Sequence, residues 1–206
     1  MCSPFRYFLW QPDRSVNIDF SRQRVDLLNG GIPNLLDREF KATRPNERWS
    51  SDITFINTRQ GWLYLAVVMD LYSRRIVGWS MNRRISRHLA VDALSMAISR
   101  RKLGASLLHH SDRGAQYASD DYRELLNQYG IECSMSRAGN CYDNVPVESF
   151  FSLLKRERIK RKKYQTRDDA RADIFDYIES FYNRKRSHSY LNYMSPVEFE
   201  GQVIGA

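Results

Sequence analysis

Hydrophobic and polar positions alternate from Trp49 to Asn57, in a stretch rich in β-branched and aromatic residues, and this period of two predicts a strand. Thr58-Arg59-Gln60-Gly61 reads as a turn. Trp62 to Met69 is almost unbroken apolar sequence, the pattern of a strand buried on both faces. Asp70-Leu71-Tyr72-Ser73 reverses the chain again, and Arg75 to Met81 completes an antiparallel meander. The period then changes. Between Ser86 and Lys102, Leu89, Ala93, Leu94, Ala97 and Ile98 share one helical face, and Gly104 is the stop. Ser106 to His110 predicts a short strand. Ser119 caps a helix with Asp120 and Asp121 in its first turn, Leu125, Leu126 and Tyr129 on its apolar face, and Gly130 at its end. Ile131 to Ser136 predicts a fifth strand. The polar loop Arg137 to Asn144 leads into a long helix starting near Asp143, whose stripe is Val147, Phe151 and Leu154 with Phe150 beside it. Two capping boxes open the last helices. Thr166-x-x-Asp169 precedes Ala170, Ile174, Tyr177, Ile178 and Phe181, and Ser195-Pro196-Val197-Glu198 places proline at the first helical position.

This order predicts an α/β protein with a mixed five-stranded sheet, three antiparallel strands followed by two further strands, flanked by helices; it excludes a simple doubly wound sheet. Residues 1–44 read as an arm or linker, with a brief helix between Phe20 and Leu28, and residues 45–206 as the core with a C-terminal helical extension. Of 206 residues, 42% are hydrophobic and 27% charged, which supports a packed core and argues against a disordered chain. The net charge of +8 points to an acidic partner, with nucleic acid the leading class. Cys2, Cys133 and Cys141 make no disulfide framework. With His88, His109, His110 and His188 they match no zinc spacing, so reduced thiols in a cytoplasmic protein are expected. No apolar run is long enough to span a membrane, and Arg6 interrupts the start as a signal peptide.

Three acids stand where phosphoryl-transfer chemistry would want them. Asp52 interrupts a β-favouring strand, where aspartate is disfavoured without a reason. Asp112 directly follows the fourth strand. Glu148 lies in the first turns of the long helix, about 100° or more from its apolar stripe, on the face that carries Ser152 and Lys155. Phosphoryl transfer needs little covalent help; it needs divalent cations, which carboxylates hold well. Spacing alone decides nothing, because a chain with 24 acids places two of them as Asp112 and Glu148 are placed about as often as not. An aspartate at a strand end is ordinarily a turn-former. Two carboxylates at about 4 Å repel by about 4 kcal/mol at an effective dielectric near 20, so a converging trio requires raised pKa values or a bound cation. Asp70, at a turn, and Asp143, as a helix cap, read as structural acids. His109 and His110 read as core histidines, one of them able to orient the site.

Seven basic residues crowd the stretch after Glu148: Lys155, Arg156, Arg158, Lys160, Arg161, Lys162 and Lys163, against the single acid Glu157. Such a run is usually a solvated face, but directly after an acid-bearing helix it reads as a phosphate-contacting ridge. Arg184, Lys185 and Arg186 form a second cluster, and Asn140 in the polar loop is read as a further DNA contact. Neither cluster suggests base readout, so backbone binding with a salt dependence steepening by about 0.9 per phosphate is expected.

Five stretches carry a family resemblance: RPNERWSSDITFI at residues 44–56, VVMDLYSRRIVGW at 67–79, HSDRGAQYAS at 110–119, SRAGNCYDNVPVESFF at 136–151 and YNRKRSHSYLNYMSPVEF at 182–199. In this the chain resembles the OrfB-type transposases of the "insertion sequence three" family, which share the retroviral-integrase catalytic core. The resemblance implies a ribonuclease-H-like fold and a DDE triad, which falls on Asp52, Asp112 and Glu148, with the family's basic residue seven positions on falling on Lys155. It also implies two magnesium or manganese ions, hydrolysis of a phosphodiester at the ends of a bacterial element, and strand transfer by the freed 3′-hydroxyl. The implied partners are element-end and target DNA, further copies of the chain on that DNA, and an upstream-frame helix-turn-helix protein or fusion. Residues 1 to about 31 do not resemble the family's helical DNA-binding segment, while from about Pro33 the chain resembles its linker. Two other readings fit the same residues: an inactive DNA-binding remnant, and a ribonuclease-H-like nuclease acting on RNA–DNA hybrids.

Overall fold

The computed structural model describes residues 31–104, 106–137 and 141–204; the helix expected between Phe20 and Leu28 and the proposed contact Asn140 lie outside them. Strands β1 (Arg48–Thr58), β2 (Gly61–Asp70) and β3 (Ile76–Asn82) form the expected meander. Helix α1 (Arg87–Arg100) then leads to β4 (Leu108–Ser111), and α2 (Asp120–Gln128) to β5 (Glu132–Met135). A 3-10 turn, Cys141–Asn144, precedes α3 (Val145–Glu157). Helix α4 (Arg167–Asp176) runs on into a π-helical segment, Tyr177–Tyr182, and α5 is Pro196–Ile204. Among the described residues the sheet order is β3-β2-β1-β4-β5, with β4 parallel to both β1 and β5.

The alternation in β2 builds two cores. Leu63, Leu65, Val67 and Met69 point to one face and meet Val147, Phe150, Phe151 and Leu154 of α3 and Ala170 and Ile174 of α4. Ala66 and Val68 point to the other, with Trp49 and Val77, under Leu89, Ala90, Ala93, Leu94 and Ala97 of α1 and Leu126 of α2. A β-carbon on Gly78 would lie 2.2 Å from the Ala93 carbonyl oxygen, so glycine is what lets α1 lie this close to β3.

Helix starts follow the capping chemistry. The Thr166 side chain accepts from the Asp169 amide while Asp169 accepts from the Thr166 amide, closing the expected box. Ser195 and Glu198 pair in the same way. Ser119 occupies the cap position of α2 but turns its hydroxyl back to the Gln116 carbonyl, so it caps by backbone conformation alone. Residues from Ile32 onward form one compact unit. Leu36 is buried, and the amides of Leu35 and Leu36 donate to the Ser134 hydroxyl at the end of the sheet.

Candidate active site

The register of the parallel pair places the first two acids. Ser51 of β1 lies opposite Ser111 of β4, so Asp52 and Asp112 are the next positions on neighbouring strands, which run about 4.8 Å apart. Asp52 shares its strand face with Ser50, toward α3, while Ser51 faces the other core through its bond to His109. Asp112 lies just past the end of β4, and one of its oxygens accepts the Gly114 amide at 2.9 Å, which holds the carboxylate in a tight turn.

Asn144 fixes the third acid. It ends the 3-10 turn, and its side chain bonds both Ser50 Oγ and, at 3.0 Å, the Ser51 carbonyl. The start of α3 is thereby pinned to the residues that immediately precede Asp52. Glu148 follows one turn later, exposed, while Val147 on one side of it and Phe151 a turn on are buried in the core. Sequence reasoning missed Asn144; a polar residue just before an acid-bearing helix was its only local signal.

The acids meet electrostatically. Asp52 is pushed up to about 7, mainly by burial, with the charges of Asp112 and Glu148 adding to the rise and the Ile53 amide and Lys155 opposing it. Lys155 sits two turns beyond Glu148, its Nζ 5.1 Å from the Phe55 ring centroid. Tyr117, buried, is raised well above 10 chiefly by burial, with Tyr122, Asp52 and Asp112 adding to it, and its hydroxyl has no partner among the described residues. Among those residues no three His, Cys, Asp or Glu side chains already stand at mutual ligating distance. A cation shared by Asp52, Asp112 and Glu148 would have to draw in side chains at a strand end and in the first turn of a helix. All the donors would be carboxylate oxygens, a set suited to magnesium or manganese, and a cation would relieve the repulsion that raises Asp52.

His109 and His110 are core residues. His110 places its ring nitrogens against the hydroxyls of Ser134 and Ser136, and burial pulls it down to about 4. His109 Nε2 shares the Ser51 hydroxyl at 2.7 Å and the Tyr122 hydroxyl at 3.0 Å, and burial pulls it down to about 3. Through Ser51 it touches the backbone beside Asp52, so it braces the site without entering it.

The rival acids are structural. Asp70 is buried, bonded 2.8 Å from Arg101 and capped by the amides of Asn46 and Tyr72. Asp143 is a correction to the helix-cap reading. Its carboxylate accepts instead from Asn34, from Arg38 and from the Arg137 amide, tying residues 34–38 to the loop before α3. Those bonds and the two guanidiniums hold it below the ordinary carboxylate range although burial opposes them.

The basic ridge divides. Arg158 pairs with Asp173 and Asp176, Lys162 with Asp173, and Arg186 with Glu157, so these three hold α4 and the C-terminal segment to the end of α3. Arg156, Lys160, Arg161 and Lys163 are exposed, as are Arg184 and Lys185.

Two family profiles, each described as an integrase core domain, match residues 42–141 and 148–204. The described fold is similar to the simian T-cell lymphotropic virus intasome solved with the PP2A regulatory subunit B56 gamma, with a TM-score of 0.65 and 18% identity over 78% of this chain and 56% of that one. It is also similar to the HTLV-2 integrase catalytic core domain in complex with magnesium, with a TM-score of 0.60 and 18% identity over 78% of this chain and 99% of that one. Sheet order, helices and these likenesses define an integrase core of the ribonuclease-H-like fold. Transposase InsF for insertion sequence IS3fB of Escherichia coli K12 is 49% identical over 177 residues, covering 84% of this chain and 62% of that protein. The insertion element IS600 uncharacterized 31 kDa protein of Shigella sonnei is 47% identical over 167 residues, covering 81% and 61%. The chain belongs to the integrase core domain family, is similar to IS3-type transposases, and spans about three-fifths of the length of these relatives. No described helix is long and apolar enough to cross a membrane.

Proposed function

We propose that the chain is the catalytic part of a transposase, cutting a phosphodiester at the end of a DNA element and joining the freed 3′-hydroxyl to a second strand. What supports this reading is that parallel register sets Asp112 beside Asp52, while the Asn144 clamp ties the start of the helix that carries Glu148 to the residues just before Asp52. Asp52, Asp112 and Glu148 would hold two magnesium or manganese ions; when bound, such ions activate the attacking oxygen and stabilise the leaving one. The remaining work belongs to the protein. Asp52 is held fixed in the strand and Asp112 in its turn. Lys155, close enough to act on Asp52, positions the phosphate of the strand being cut. Arg156, Lys160, Arg161 and Lys163, with Arg184 and Lys185, neutralise neighbouring phosphates without reading bases. An upstream-frame helix-turn-helix protein or fusion that recognises the element ends is part of this proposal. Assembly of several copies on DNA is part of the same proposal.

Glu148→Gln is the direct test. It is expected to keep the fold and duplex affinity while magnesium-dependent strand transfer falls by more than about a thousandfold. Transfer at the unsubstituted rate would remove Glu148 from the mechanism. Hybrid RNA–DNA substrates run beside duplex ends separate this reading from a hybrid-cutting nuclease, and duplex binding without nicking would mark an inactive remnant.

A further inference from the structure

The sheet face that α1 and α2 bury stays open toward the β1–β2 turn, on the side of the sheet opposite the Asp52 side chain. There Phe55 keeps 54% and Trp62 47% of its surface exposed, although both lie within strands. The rings stand edge to face, with centroids 5.1 Å apart and planes 86° apart, a geometry that holds them upright. Burying such rings in a core would be favourable, and here they face solvent together.

Their surroundings are cationic. Lys155 places its ammonium 5.1 Å from the Phe55 centroid while also acting on Asp52. Arg167 crosses the β1–β2 turn, donating from its amide to Gln60 and from Nε to the Trp62 carbonyl. Gly61, at φ +100°, leaves room for that guanidinium, which an added β-carbon would meet at 2.9 Å. Arg59 and Lys163 are exposed nearby, where the Arg59 amide donates to the Tyr164 carbonyl. Among the described residues no acid forms an ion pair with Arg59, Lys163 or Arg167, whereas Lys155 also faces Asp52.

Aromatic faces rimmed by cations and linked around the β1 edge to the acids by Lys155 suit one ligand chemistry, an unpaired nucleotide base with its phosphate. We propose that Phe55 and Trp62 form a stacking platform for an unpaired base of the DNA strand whose backbone enters the acid cluster. Phe55 lies three residues along β1 from Asp52, about 10 Å. That is about three stacked nucleotide steps, and fewer for an unstacked strand. Lys155 bridges the two sites, facing the phosphate on one side and the ring on the other. The platform rests on the transposase reading and adds to it a preference for a frayed over a fully paired strand.

The test uses the full chain with a single-stranded oligodeoxynucleotide carrying 2-aminopurine, and with the same sequence as a duplex. Binding of the single strand is expected to quench the 2-aminopurine. Trp62→Ala is expected to abolish the quench and to weaken single-strand binding about tenfold, more than it weakens duplex binding. Trp62→Phe, which keeps a ring, is expected to retain most of both. An unquenched base in the unsubstituted protein, or equal single-strand affinity in Trp62→Ala, overturns the proposal. So does a Trp62→Ala variant that changes only self-association, because the rings would then belong to a contact between copies. Magnesium-dependent nicking, assayed in parallel, keeps the two readings apart: nicking without quench removes the platform alone, and quench without nicking removes the catalytic reading alone.

Discussion

Raising the pH from about 4 to about 7 ionises Asp52 in the open chain well before it does so in the fold, because its folded pKa is about 7 against an ordinary 3.8. A carboxyl raised in this way favours the fold below its open-chain pKa, and the advantage is lost as the pH climbs through the folded value. At about 1.36 kcal/mol per unit, the penalty in the cation-free protein reaches about 4 kcal/mol above pH 7. Asp52→Asn removes the charge and the penalty together. In the presence of a chelator it is therefore expected to match the unsubstituted protein near pH 4 and to exceed it by up to about 4 kcal/mol at pH 8, read by urea unfolding. Added magnesium should narrow that gap by stabilising only the unsubstituted chain. Equal stabilities at pH 8 without metal would show that Asp52 carries no such tension. Tyr117 belongs to the same neighbourhood: its hydroxyl, buried and without a partner among the described residues, lies in the field of Asp52 and Asp112.

Single elements place the acids, and their contacts decide how well. The Asn144 side chain joins the start of α3 to β1 by two hydrogen bonds, one with the Ser50 hydroxyl and one with the Ser51 carbonyl. Asn144→Ala leaves the buried Ser50 hydroxyl and Ser51 carbonyl short of a partner. It is expected to lower stability by about 1–3 kcal/mol and metal-dependent activity by about 10–100-fold, the activity loss exceeding what the unfolded fraction explains. Parallel activity and folded fraction would reduce Asn144 to a stability role. Much of this scale was legible in the sequence. The unbroken run of β2, the stripe of α3 and both capping boxes follow local periodicity and local bonds. What escaped was pairing across the chain. No local pattern says that β4 lies beside β1 and not β3, that Asp143 reaches back to Asn34 and Arg38, or that Arg158 and Lys162 are spent on Asp173. The acids could be proposed from sequence; the clamp and the division of the basic ridge required the fold.

Among the described residues, a buried ionic network ties distant segments together. Arg101, just past α1, bonds Asp70 at the end of β2 and both oxygens of Glu200 in α5, while Ser73 and Arg75 also reach Glu200. Burial pushes Asp70 up to about 6 despite Arg101, whereas Glu200 is held low because Arg101, Ser73 and Arg75 outweigh its burial. Arg101→Ala would leave two buried carboxylates without their shared cation, and thermal unfolding is expected to show a loss of about 3–5 kcal/mol. A loss below about 1 kcal/mol would mean that the network does not hold the C-terminal segment to the sheet. That network fixes the end of β2, where Asp70 pairs with Trp49 of β1, the strand that carries Asp52. The central claim is that Asp52, Asp112 and Glu148 share a divalent cation, and a crystal soaked in manganese tests it most directly. The anomalous map is expected to place manganese within about 2.3 Å of oxygens from both Asp52 and Asp112, with Glu148 drawn in toward it. Manganese found only elsewhere, in crystals of protein that still transfers strands, would contradict the account.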